Sequence, residues 1–169
     1  RWRSNGQKKS EELYENGKMS GISRTWDEAG KLSSEVMFKA GLRDGLYIDY
    51  YSSGQKRQEV DHVNDEPHGH SMFWYSNGRV RWDKWYENGE LDGDFAEWYE
   101  DGTQQAAGAY AMGRKIGKWT TWYENGNKAE EGEYSDGLRT GLCVDWYENG
   151  TMRMKATYVN GDFAEAPRG

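Results

Sequence analysis

Aliphatic side chains are scarce in this chain: 7 Leu, 3 Ile and 6 Val, with 4 Phe, among 169 residues. That scarcity excludes a conventional aliphatic core, and on that measure alone the chain would sit beside disordered sequences. No run approaches the ~20 apolar residues that cross a bilayer as a helix. Cys143 is the single cysteine, so no disulfide forms within the chain. A lone thiol accords slightly better with a reducing, cytoplasmic setting. The sequence starts at Arg1 rather than Met, which leaves open a trimmed signal segment and a secreted or periplasmic location. Basic residues number 22 against 29 acidic ones, a net charge of −7. Nucleic acid is thereby disfavoured as a partner, because phosphate contacts need a basic patch. Anionic membrane surfaces are disfavoured for the same reason.

Aromatic residues and glycine are plentiful instead: 9 Trp, 12 Tyr and 22 Gly, against only 2 Pro. Disordered chains are poor in aromatics. Cutting the sequence every 24 residues from Trp2 gives seven pieces without insertion or deletion: 2–25, 26–49, 50–73, 74–97, 98–121, 122–145 and 146–169. The first position is always Trp or Tyr (Trp2, Trp26, Tyr50, Trp74, Trp98, Trp122, Trp146). The fifth is always Gly, from Gly6 to Gly150. The thirteenth is aromatic in every repeat but one (Tyr14, Phe38, Tyr86, Tyr110, Tyr134, Tyr158), with His62 the exception. The sixteenth is Gly except at Asp65. A further glycine column runs from Gly21 to Gly141.

The repeat predicts its own local structure. Asn-Gly or Asp-Gly recurs in two sets, as at Asn125-Gly126 and Asp136-Gly137. These dipeptides suit tight hairpin turns, since both residues tolerate positive φ. The segments between them, such as Lys118-Trp119-Thr120-Thr121-Trp122-Tyr123, are rich in strand formers. Helix is excluded by glycines that would each cost ~1 kcal/mol. The expectation is an all-β chain: an elongated, twisted antiparallel meander of seven stacked 24-residue β-hairpin repeats, one domain over 1–169. At ~10 Å per repeat it would extend ~65–70 Å. Aromatic columns, led by the first-position Trp, would bury one another in place of aliphatic residues. The segment Ala164-Glu165-Ala166-Pro167 leaves the pattern and is expected to blunt the last strand edge. Unpaired edges at the ends of the array leave room for self-association into homo-oligomers.

The run Gly117-Lys118-Trp119-Thr120-Thr121-Trp122-Tyr123-Glu124-Asn125-Gly126, followed by Glu131-Gly132-Glu133-Tyr134 and Gly137, resembles the MORN-repeat variant. That variant is found in bacterial proteins often classed as antitoxins of toxin–antitoxin systems. The resemblance spans the chain, strongest in the last three repeats and weakest in the third. It implies stacked hairpins, a non-catalytic protein-binding scaffold and no cofactor. A bacterial antitoxin or immunity protein that masks a toxin is the sharper form. An acidic array could cover a basic toxin and speed its capture by steering.

The residues themselves offer several candidate sites. Tyr75, Tyr99, Tyr123 and Tyr147 follow the Trp column, and Glu100, Glu124 and Glu148 follow three of them. In a regular strand these tyrosines face away from the Trp, which makes Tyr and Glu together the candidate protein-binding surface. A carboxylate column at Glu11, Glu35, Glu59, Asp83 and Glu131 needs partners, because like charges in register repel. Lys9, Arg57, Arg81 and Arg153, two residues earlier, are the expected ones. All three histidines (His62, His68, His70) fall in the third repeat beside carboxylates, a weak metal candidate without a known ligand spacing. A divergent surface loop is the simpler reading. Aromatic slots that bind a glycan or a choline-like cation by cation–π attraction are the alternative function. An enzyme ranks last, since no nucleophile–base arrangement can be located.

Overall fold

The computed structural model describes residues 1–164. Every regular element in them is a strand. The strands are β1 (Ser10–Glu11), β2 (Tyr14–Glu15), β3 (Lys18–Met19), β4 (Gly21–Trp26), β5 (Leu32–Lys39), β6 (Leu42–Tyr50), β7 (Lys56–Val63) and β8 (Glu66–Trp74). Then come β9 (Val80–Glu87), β10 (Glu90–Trp98), β11 (Gln104–Ala111), β12 (Arg114–Trp122), β13 (Lys128–Ser135), β14 (Leu138–Trp146), β15 (Met152–Val159) and β16 (Asp162–Phe163). The chain forms two compact units, residues 1–80 with 86–89, and residues 81–85 with 90–169. In the first, β1 pairs with β4, and β4 to β8 follow in chain order, all antiparallel. Strands β2 and β3 form a small ladder of their own. In the second unit, β10 to β16 follow in chain order, again antiparallel. The architecture is the open antiparallel meander of hairpins that the repeat predicted. From Glu165 onward, the segment expected to blunt the last edge lies outside the described residues.

The two turn sets differ, which corrects the expectation of one turn type. At the second set both residues have positive φ: Asn88 (49°) with Gly89 (83°), and Asp136 (54°) with Gly137 (83°). At the first set only the glycine does, as at Gly126 (84°). There the Gly126 amide donates to the Tyr123 carbonyl (2.9 Å) and the Tyr123 amide to the Asn127 carbonyl (2.8 Å). The turn is closed by the Asn125 side chain, which accepts from the Asn127 amide at 2.9 Å. Asparagine serves here as a cap rather than as a left-handed residue.

The hairpins β4–β5, β6–β7, β10–β11, β12–β13 and β14–β15 each carry a bulge next to the first-position ring. Thr121 pairs with Glu130, yet Trp122 pairs with Lys128, so Ala129 is the extra residue. Arg57 and Arg153 occupy the same place in their repeats. One extra residue reverses which face the following side chains occupy.

Burial comes from the eleventh, thirteenth and twenty-second positions, not chiefly from the first. Rings at the first position, such as Trp26, Trp74, Trp122 and Trp146, are half-buried. Val60, His62, Ser71, Trp119, Cys143 and Tyr158 are buried. Large and small side chains alternate between neighbouring strands. Trp119, 3% exposed, lies between Gly108 and Gly132. Ser71 sits opposite Val60, and Cys143 opposite Ala156. The Trp119 indole is ringed by Phe95, Tyr110 and Tyr134, with centroids 5.5, 4.9 and 6.5 Å away. Its Nε1–H donates to the Ala109 carbonyl at 3.0 Å. Such ring pairs add about 1 kcal/mol each beyond their buried area.

A Cβ on Gly108 would lie 2.3 Å from ring atoms of Trp119. Gly108→Val is therefore expected to lower stability by about 3 kcal/mol, because the indole must leave its site. Adding Trp119→Ser, which copies the Val60–Ser71 pair, should recover part of that loss; urea melts of the single and double variants measure it. Met112 holds φ at 47° while 73% exposed. Met112→Asn should relieve about 1 kcal/mol of left-handed strain and raise the thermal midpoint by about 2–4 °C.

Candidate functional site

The tyrosines that follow the Trp column lie on the first turns, between strand pairs. Tyr51, Tyr99 and Tyr123 donate to the carbonyls of Trp74, Trp122 and Trp146, at 2.7, 2.9 and 2.8 Å. Each bond reaches one repeat ahead and ties neighbouring turns together. Asn125 and Asn127 add two more ties, both to the Glu148 carbonyl, at 2.7 and 2.9 Å. The rings of Tyr75, Tyr99 and Tyr123 are half-buried, and Tyr147 is 53% exposed. Glu100, Glu124 and Glu148 are all exposed on the turns. Within the second unit, Tyr99, Tyr123 and Tyr147 share one turn edge with those three carboxylates. The edge is electronegative: burial raises the pKa of the Tyr99 phenol, and Glu124, Glu97, Asp101 and Glu148 push it further the same way. Tyr75 belongs to the first unit.

The carboxylate column lies on the same face as the first-position rings. At Glu11 and Glu59 the partner is a lysine three residues earlier, not Lys9 or Arg57 two residues earlier, and Glu131 is paired in the same way. Lys8 pairs with Glu11 at 3.1 Å, and Lys56 and Lys128 pair with Glu59 and Glu131. Those same lysines cover the next repeat's ring. The ammonium of Lys8 is 4.6 Å from the Trp26 centroid, that of Lys56 6.0 Å from Trp74, and that of Lys128 5.8 Å from Trp146. Hydrogen bonds from Lys128 and Lys118 hold the Glu131 carboxyl below its ordinary range. Arg24 does the same for Glu35 at 2.7 Å. Arg57 and Arg153, being bulge residues, reach the opposite face and pair with the buried Asp49 and Asp145.

That opposite face also holds an ion network. Arg139 bridges Glu130 (2.8 Å) and Asp145 (3.4 Å) and lies over the Tyr158 ring at 5.4 Å. Burial and a hydrogen bond to Glu130 push the Tyr134 phenol up to about 12. Lys115 stands 4.2 Å above Trp119. Trp26, Trp74, Trp119 and Trp146 thus carry the protein's own cations. Sequence reasoning missed these lysines and the Arg139 network. The matching Asp49–Arg57 and Asp145–Arg153 spacings were a usable sign of the bulge.

The histidines do not converge. His62 is buried beside Tyr47, ring centroids 6.2 Å apart, with Nδ1 3.2 Å from the Val60 carbonyl. His68 lies 3.8 Å from Glu87, and His70 is half-buried on β8. Among the described residues no three His, Cys, Asp or Glu side chains are grouped to hold a metal ion. Cys143 is buried, which pushes its thiol up and leaves it a poor nucleophile.

Burial pulls the His62 pKa below the ordinary 6.5. As pH falls through 6.5 the unfolded chain therefore takes up the proton first, and stability falls with it. Stability is expected to drop between pH 7.5 and 5.5. His62→Tyr, which restores the ring found at this position elsewhere, should flatten that slope in urea melts. The lowered Glu35 and Glu131 carboxyls titrate below this window.

No helix among the described residues is long and apolar enough to cross a membrane. Comparison with curated proteins found no match. The family described as MORN repeat variant matches residues 19–40, 43–64, 115–136 and 139–160, just over half of the chain. The four matches begin at multiples of 24 residues from one another, the period read from the sequence. Each spans the second strand of one 24-residue piece and the first strand of the next. Such repeats are generally non-catalytic scaffolds that bind proteins or membranes. On this evidence the chain belongs to the MORN repeat variant family.

Proposed function

We propose that this chain is a scaffold that binds another protein along the turn edge of Tyr99, Tyr123, Tyr147, Glu100, Glu124 and Glu148, with Tyr75 at the same position of its own repeat. The observation that carries this reading is the contrast between that edge and the sheet faces. On the faces, carboxylates such as Glu11, Glu59, Glu131 and Asp145 are paired with lysine or arginine. On the edge, Glu124 and Glu148 make no ion pair among the described residues, and tyrosine rings lie beside them. Tyrosine is a favoured interface anchor because it offers area at low entropic cost. The partner is then a basic protein. The sharper form of the proposal is a bacterial antitoxin or immunity protein that masks a basic toxin. The net charge of −7 supports it through steering of a cationic partner.

A pull-down from the native host, eluted with increasing salt, tests the reading. The expected result is a basic partner released by moderate salt. Glu100→Gln, Glu124→Gln and Glu148→Gln combined should slow association by about tenfold at low salt, with an unchanged thermal midpoint. Retention of the same partner with the same salt dependence by that variant would remove the edge from the interface.

A further inference from the structure

Asn-Gly occurs seven times, at Asn5, Asn16, Asn77, Asn88, Asn125, Asn149 and Asn160. This dipeptide has a chemistry of its own. The glycine backbone nitrogen attacks the amide carbon of the asparagine side chain, forming a new bond between them and a five-membered imide. The bond from that carbon to the amide nitrogen breaks, and ammonia leaves. Water then opens the imide, giving aspartate or isoaspartate. One water is consumed, one ammonia is released, and no electrons are transferred. Glycine permits the attack because it has no side chain in the way. The attack requires that the glycine amide be freed and that the asparagine side chain swing onto it.

Six of the seven glycine amides are tied. Gly6, Gly78, Gly126 and Gly150 donate within their own turns, to Arg3, Tyr75, Tyr123 and Tyr147, at 2.8 to 3.0 Å. Gly89 and Gly161 donate to the carbonyls of Pro67 and Arg139 in the preceding repeat, at 2.8 and 2.9 Å. The side-chain oxygens of Asn5, Asn77, Asn125 and Asn149 are also held, each by the amide two residues on. The Gly17 amide meets no acceptor among the described residues, although Gly41, Gly113 and Gly137 at the same repeat position all have one. Asn16 makes no side-chain hydrogen bond among them either. Its hairpin is the two-stranded β2–β3 ladder, two residues a side, and Tyr14, Glu15, Asn16 and Gly17 are all exposed. Beyond its own pairs the ladder is tied by the Gly41 amide to the Met19 carbonyl (2.8 Å) and by the Ser20 amide to the Leu13 carbonyl (2.9 Å), and a ladder of that size opens more readily than one inside a sheet.

From this contrast we infer that Asn16-Gly17 is the deamidation site of the folded chain. Conversion to aspartate adds a negative charge beside Glu15. Conversion to isoaspartate inserts an extra methylene into the backbone of a two-residue turn, and the Glu15–Lys18 register cannot survive it. The reaction is slow and irreversible, so the turn records the age of the molecule.

The native protein, incubated at pH 8.5 and 37 °C and mapped by peptide mass spectrometry, tests this. Asn16 is expected to convert at least about fivefold faster than any other Asn-Gly. In 6 M urea the seven rates should converge, which shows that folding and not local sequence sets the order. Asn16→Gln should remove most of the ammonia released by the native protein while leaving its circular dichroism unchanged. Conversion at Asn125 or Asn149 as fast as at Asn16, or no conversion at Asn16 before the others, would overturn the assignment. The same spread of rates in urea would also overturn it.

Discussion

Where the described strands contact chiefly their sheet neighbours, burial must come from within the sheet, and this chain finds it by matching sizes across adjacent strands. Trp119 needs Gly108 and Gly132 beside it; Val60 needs Ser71; Cys143 needs Gly132 and Ala156. A methyl group added at Gly108 has nowhere to go, because the indole already occupies that volume. Stability in such an array is a sum of neighbour terms rather than the property of a central core. The fit is therefore local, and it can differ from repeat to repeat. Around Trp119 it is aromatic; around Ser71 and Val60 it is small and aliphatic.

A bulge beside a first-position ring allocates charges to faces. Without it, Arg57 and Arg153 would share a face with Glu59 and Lys155, two residues along an alternating strand. With it, they reach Asp49 and Asp145, and lysines from one residue earlier in the sequence serve the outer carboxylates instead. One inserted residue thereby neutralises both faces at once. It also places a lysine over each of three tryptophans, so those rings are covered by the protein itself.

The period, the strand content and the hairpin order were legible in the sequence because glycine and ring columns recur in strict register. Two features were not. Face assignment failed at Arg57 and Arg153, because a bulge leaves no composition signal of its own and shows in the sequence only through the matching Asp49–Arg57 and Asp145–Arg153 spacings. Turn type was half legible. Asn-Gly reads alike in both sets, yet the turn at Asn125 is capped by its side chain, while at Asn88 the backbone itself turns left-handed. The candidate edge was legible as residues but not as geometry. Nothing in the sequence says that the Tyr99 and Tyr123 hydroxyls are engaged by the next repeat.

That engagement bears on what the edge can offer a partner. With its hydroxyl donating to a neighbouring carbonyl, Tyr99 or Tyr123 has little directional hydrogen bonding left and presents chiefly ring surface. The rings are held rigidly, so a partner that packs on them meets little loss of side-chain freedom. Specificity must then come from elsewhere, and the nearby charges are the available source. Glu124 and Glu148 sit in solvent, where each contact with a cation is worth little by itself. Repetition at ~10 Å intervals turns several weak attractions into a field that a small cationic surface meets as a whole. In the proposed interface, fixed rings would supply the apolar contact and repeated carboxylates the attraction. The repeat delivers both because one turn sequence, Tyr-Glu-Asn-Gly, is laid down more than once along the same edge.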